Sequence, residues 1–208
     1  VFAVAPDDPS ALMIESRLHV ADSDYAAAAR SVERSLAAPG DPGSRLAMLK
    51  DLYRRGGNLD AYARTVAQLA RSYPDDPSIQ LDHAASLYDG GDRTSGLAVT
   101  RRVLEQRPDD IGIARVVLNL WLEQGAAAMP VATITAARDA SLETRSAFAQ
   151  YANEIGRPDL ALALLGPDVA AGQPGATNGD AKAARAYALG LRGDTAAARA
   201  QLDAILAA

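Results

Sequence analysis

The 208-residue chain has no cysteine, which removes disulfide scaffolds, cysteine zinc sites and thiol nucleophiles and leaves the redox compartment open. Aromatic residues are scarce, at 2 Phe, 1 Trp and 7 Tyr, whereas alanine occurs 46 times; that bias favours closely packed helices and excludes an all-β fold. No uncharged apolar run approaches the roughly 20 residues that span a bilayer, so direct membrane insertion is not expected. The chain also lacks a basic surplus: 21 Lys plus Arg stand against 26 Asp plus Glu, a net charge of −5. A protein that works by neutralising phosphates carries the opposite balance, so no nucleic-acid partner is expected. What the chain does have is apolar material for a core, with 49% hydrophobic and 23% charged residues, which rules out intrinsic disorder.

Two punctuation marks recur with one period of about 34 residues. Pro6-Asp7-Asp8-Pro9 and Pro74-Asp75-Asp76-Pro77 lie two periods apart, and Pro108-Asp109-Asp110 follows one period later. Between them fall Asp22-Ser23-Asp24, Gly56-Gly57-Asn58 and Gly90-Gly91-Asp92, again one period apart. Proline is tolerated in the first helical turn but not the interior, and Asp caps helix starts, so each Pro-Asp-Asp element closes one helix and opens the next. The Gly-rich mark splits each interval into two helices of about 13 residues. Apolar and small residues keep the same step. Leu12, Leu46 and Ala114 share one inward slot, and Ser16 and Ala84 share another. His19, Tyr53, Leu87 and Trp121 recur together in the first helices; Ala28 and Gly96, Val32 and Val66, then Leu36 and Leu104 recur in the second. Spacings of three to four within each set are those of an apolar helix face.

Residues 1 to about 140 resemble the tetratricopeptide repeat family, carried by Tyr53, Gly57, Pro74, Ala84, Gly91, Leu104, Pro108 and Trp121. Lys50 and Tyr62 depart from it where small residues are usual, and Gln80 where a large apolar one is. The resemblance implies an all-α, right-handed superhelical solenoid of about six helix-turn-helix hairpins, at residues 9–40, 42–74, 77–108, 110–139, 141–165 and 180–207. The fifth turn is Gly156-Arg157-Pro158 and the sixth Gly193-Asp194, and residues 166–179, rich in Gly and Pro, form an irregular connection before the last hairpin. Residues 1–208 are read as a single solenoid domain. Val1-Phe2-Ala3-Val4-Ala5 matches the last turn of a second helix and no initiator Met precedes it, so the chain is expected to be an internal fragment of a longer repeat protein. The Ala, Arg, Asp and Gly bias with few Lys suits a high-GC bacterium, for which family resemblance implies an envelope setting ahead of a cytoplasmic one.

Catalytic chemistry finds little support. His19 and His83 are the two histidines, they fall in different repeats, and neither has a partner at ligand-like spacing beyond Asp82 beside His83; packing or surface roles are expected, with no metal and no cofactor. Arg192-Gly193-Asp194 spells an adhesion tripeptide but is the repeat's own turn. The Gly-rich stretch at 166–179 lacks the Gly-Lys-Ser/Thr ending of a phosphate-binding loop.

The functional surface expected is the concave groove that stacked first helices create. Met13, Arg17, Val20, Asp51, Arg54, Leu81, Tyr88, Arg115, Asn119 and Leu122 are assigned to it. Apolar side chains of a bound segment would lie against Met13, Leu81 and Tyr88, and its carboxylates on Arg54 and Arg115, since guanidinium binds carboxylate in a bidentate fork. Arg115 and Asn119 have the spacing of half a carboxylate clamp found in some family members, but the other half is missing at Leu81 and Ala85. The expected function is therefore a non-catalytic scaffold for a protein or peptide partner. The alternatives are the regulatory or substrate-delivering arm of a multidomain enzyme, and a homo-oligomer stacked through Val1, Phe2 and Val4 at one end and Leu202, Ile205 and Leu206 at the other.

Overall fold

Side-chain caps start the helices where the repeat places them. In the computed structural model, which describes residues 7–125, 131–166, 169 and 179–207, α1 (Pro9–Ala21) opens where Asp8 accepts from the Ala11 amide at 2.9 Å. Asp24 accepts from Ala27 to open α2 (Tyr25–Ser35), and Asn58 from Ala61 to open α4 (Leu59–Ser72). Asp76 does the same for α5 (Pro77–Asp89), Asp92 for α6 (Arg93–Gln106) and Asp110 for α7 (Ile111–Glu123). Each such bond satisfies an amide that has no partner within the helix. Pro42 takes the equivalent position before α3 (Gly43–Arg55) and cannot cap it; Asp41 substitutes, accepting from the Gly43 amide at 3.0 Å and from the Tyr73 hydroxyl at 2.7 Å. Tyr73 then lies so close that its hydroxyl leaves no room for a Cβ on Gly43.

The helix-to-helix turn within each hairpin needs one left-handed residue, and it recurs at Ser23, Gly57, Gly91 and Gly125. Glycine takes that conformation without cost; Ser23, at φ 61°, does so against its Cβ.

The chain divides into two compact units, Val1–Gly90 and Gly91–Ala208. In the first, α1 packs on α2, α2 on α3, α3 on α4 and α4 on α5, around buried Ala28, Val32, Leu46, Leu49, Leu52 and Leu69. Ser16, Ala28 and Ala84 are fully buried small residues, as close helix approach requires. In the second, α8 (Val131–Ala136) runs into a 3-10 turn (Ala137–Asp139), followed by α9 (Leu142–Glu154), α10 (Pro158–Leu165), α11 (Gly179–Leu191) and α12 (Thr195–Leu206). Here α9 packs on α7, α10 and α11, and Trp121, Val117, Ile134, Phe148, Leu164 and Leu165 form the core. The chain is an all-α helical repeat: the described residues contain no strand. Residues 1–6, including the expected stacking residues Val1, Phe2 and Val4, lie outside the described residues, as does most of the expected connection at 166–179.

The family departures have individual explanations. Lys50 forms an ion pair with Asp82 of α5. Gln80 is buried, but its amide donates to the carbonyls of Ala70 at 2.8 Å and Tyr73 at 3.2 Å, so it closes the exposed end of α4 where an apolar residue could not. Tyr62 is half-buried, and its hydroxyl is held protonated by burial first and by nearby Asp82 second.

Candidate functional site

The first helices present α1, α3 and α5 as equivalent faces within the first unit, because residues one period apart occupy the same helical position. Met13 and Val20 are half-buried against the core and Leu81 is half-buried on α5, so apolar surface remains open between charged groups. Arg17 and Arg54 are exposed. Neither has an ion-pair partner among the described residues, although their neighbours are engaged: Asp51 lies 3.8 Å from Arg55, and Arg34 meets Asp7 at 2.9 Å. Arg55 also stacks on Tyr25, 4.5 Å from the ring centre, and donates to its hydroxyl at 3.0 Å.

Two assignments need correction. Tyr88 is only 6% exposed, so it offers a partner almost no surface: its position repeats that of Arg54, but burial of an aromatic ring overrides the periodic placement. Arg115 is not an unengaged cation, since its guanidinium stands 4.0 Å from Asp180 of α11. That pair is exposed and weak, but it offers a carboxylate already in place. Asn119 and Leu122 do lie on the exposed side of α7, Leu122 at 37% exposure.

The titratable groups in these helices are structural in character. Tyr53 bonds to Glu33 through its hydroxyl, and burial first, then that bond, push its pKa up to about 12. His83 is lowered by burial first and by the Arg71 cation second, so it is held neutral. Among the described residues, no group of three or more His, Asp or Glu is placed to hold a metal ion, and no helix is long and apolar enough to cross a membrane.

Sequence reasoning did not single out three features. Thr100 replaces the Val of the Val32 and Val66 position and accepts the Trp121 indole N–H at 2.9 Å; the substitution of a hydroxyl residue in an apolar series was the available signal. Asp109 accepts from the Ser141 amide at 2.8 Å, and hydrogen bonds from the Ser141 side chain first and from that amide second hold its carboxyl below the ordinary range. Finally, a cavity of about 270 Å³ opens between α6, the 3-10 turn and α9, with Glu105 and Asp139 among its walls. Its signal was a contraction of the period, since the first-helix cap that follows Asp110 is Ser141, which comes early by almost one helical turn.

No protein-family model and no curated protein matches this sequence. Among solved structures, a tetratricopeptide repeat protein from Parabacteroides merdae is similar over 96% of this chain and 79% of its own, at 16% identity and a TM-score of 0.51. Residues 41 to the end of MamA from Desulfovibrio magneticus RS-1 align with 81% of this chain and 96% of their own, at 16% identity and 0.46. A thermophilic TPR protein of Thermus thermophilus aligns with 96% of this chain and 100% of its own, at 19% identity and 0.40. The first of these likenesses, together with the periodic recurrence of caps and left-handed turns, shows that the chain has the tetratricopeptide-repeat fold.

Proposed function

We propose that this chain is a non-catalytic binding module that holds a protein or peptide segment on the exposed faces of its first helices. The observation that supports this reading is the state of Arg17 and Arg54. Both are exposed, Arg17 one helical turn from the half-buried Met13 on α1, and both lack ion-pair partners among the described residues, whereas Lys50 and Arg55 on the same helix as Arg54 are engaged; Leu81 of α5 is likewise half-buried. A segment with alternating apolar and acidic residues would bury the former and place carboxylates on the guanidinium forks. Asp51 and its Arg55 partner would sit at the rim. Within the second unit, Asn119 and Leu122 on α7 would offer a separate contact of the same kind, with Arg115 contributing less because of Asp180.

Binding of a labelled peptide of alternating leucine and glutamate is the direct test, with a lysine-for-glutamate peptide as control. The Arg17→Glu, Arg54→Glu double variant, folded by circular dichroism, should bind the acidic peptide about tenfold or more weakly. Equal binding by both proteins, or preference for the lysine peptide, would remove the first-helix faces as the site.

A further inference from the structure

The period contracts at one place, and a cavity opens there. The interval from the left-handed turn residue to the next first-helix cap position has one length in Ser23 to Pro42, Gly57 to Asp76 and Gly91 to Asp110, but Gly125 to Ser141 is shorter by almost one helical turn. After this shorter interval, α8 tightens at its C-terminal end into the 3-10 turn Ala137–Asp139, whereas α4 and α6 stay α-helical to Ser72 and Gln106. Between α6, this turn and α9 lies a cavity of about 270 Å³, whose apolar lining combines the buried Leu104, Ala137 and Phe148 with the exposed Pro108 and Ala136 and the half-buried Ala140.

The walls carry charge of one sign. Glu105, Asp109 and Asp139 line the cavity and are exposed, and none of its described lining residues is basic. Asp109 is fixed in place by the Ser141 amide, and the same hydrogen bonds keep it ionised. Glu105 and Asp139 have no ion-pair partner among the described residues. A volume of about 270 Å³ lies below the roughly 300–1,000 Å³ of pockets that take small molecules, yet it accommodates one large apolar side chain. An apolar floor under an acidic rim complements an apolar group carried between cations, and such complementarity selects partners and speeds encounter even where exposed charges are screened.

We propose that this cavity is a second recognition site, which takes one large apolar side chain of a protein segment flanked by arginine or lysine. It is formed by residues other than those of the first-helix faces and does not depend on that reading. Its preference is opposite in charge, so one chain would engage an acidic segment on its first helices and a basic one here.

The probe is a fluorescein-labelled nonapeptide with a central leucine and two arginines on each side, followed by anisotropy with the full chain. Two companion peptides carry glutamates for the arginines, or alanine for the leucine. Ala136→Trp, which puts an indole into the cavity from an exposed lining position, and Glu105→Arg with Asp139→Arg, which leaves the apolar floor intact, should each weaken the arginine-leucine peptide about tenfold or more. Arg17→Glu with Arg54→Glu should leave that binding unchanged, which separates this site from the first-helix faces. Circular dichroism and thermal melts check that the variants are folded. The proposal is overturned if the arginine-leucine peptide fails to bind at millimolar concentration, if the alanine or glutamate peptide binds as well, or if folded Ala136→Trp binds as the wild type does.

Discussion

Trp121 shows how one side chain holds several helices. The ring is fully buried, donates to Thr100 of α6 and meets Tyr151 of α9 edge-on with centroids 6.1 Å apart. Trp121→Ala should therefore cost about 3–5 kcal/mol, read by chemical denaturation; a loss under about 1 kcal/mol would contradict the burial. His83 makes a prediction in pH. Its folded pKa lies below the ordinary value of 6.5, so as pH falls through 6.5 the unfolded chain takes up a proton that the folded chain refuses. Stability should decline from pH 7.5 towards pH 5, and His83→Gln should flatten that decline in melting temperature. Ser23 is the non-glycine member of the left-handed series. Ser23→Gly should raise stability by about 0.5–1 kcal/mol, relief of strain exceeding the added freedom of the unfolded chain. A lower melting temperature would show that Ser23 carries no strain.

At the scale of elements, helix ends explain the polar residues that the repeat would have made apolar. Gln80 of α5 closes the end of α4, and Gln201 of α12 donates to the Val169 carbonyl at 2.8 Å. Arg45 of α3 does similar work for α2 and the turn after it, reaching the carbonyls of Ser35 at 2.6 Å and Ala38 at 3.2 Å. Gln80→Leu restores the residue type that the family resemblance expects, yet it strips donors from two carbonyls. It should lose about 1 kcal/mol and speed amide exchange in the last turn of α4 while α3 stays protected. Retained protection there would mean that Gln80 is replaceable by packing alone. The caps and turns were legible in the sequence because each is a local bond between residues two or three apart. The contraction before Ser141 was legible only as an altered count; the cavity beside it depends on the helices that meet there.

At the scale of the whole molecule, repeat proteins store stability in contacts between neighbouring elements, so damage remains local. Trp121→Ala should raise hydrogen exchange in α6, α7 and α9 and leave α1 and α2 as protected as before. Uniform deprotection along the chain would mean one cooperative block. The exposed Leu202, at 48%, and Leu206, at 86%, with the half-buried Ile205, are the described residues among those expected from the sequence to stack end to end.

Periodicity determined by itself that the chain is helical, where the first three hairpins turn and that positions such as Leu12, Leu46, Ala28 and Val32 face inward, because caps, turn residues and apolar spacing act over a few residues. It could not determine what each exposed position meets. Tyr88 is buried although its repeat equivalent Arg54 is exposed, Arg115 faces an aspartate on a helix far along the chain, and Thr100 is matched to an indole N–H from the next helix. Those outcomes are set by side chains that packing brings together across the repeats, and equivalence in register carries no information about them.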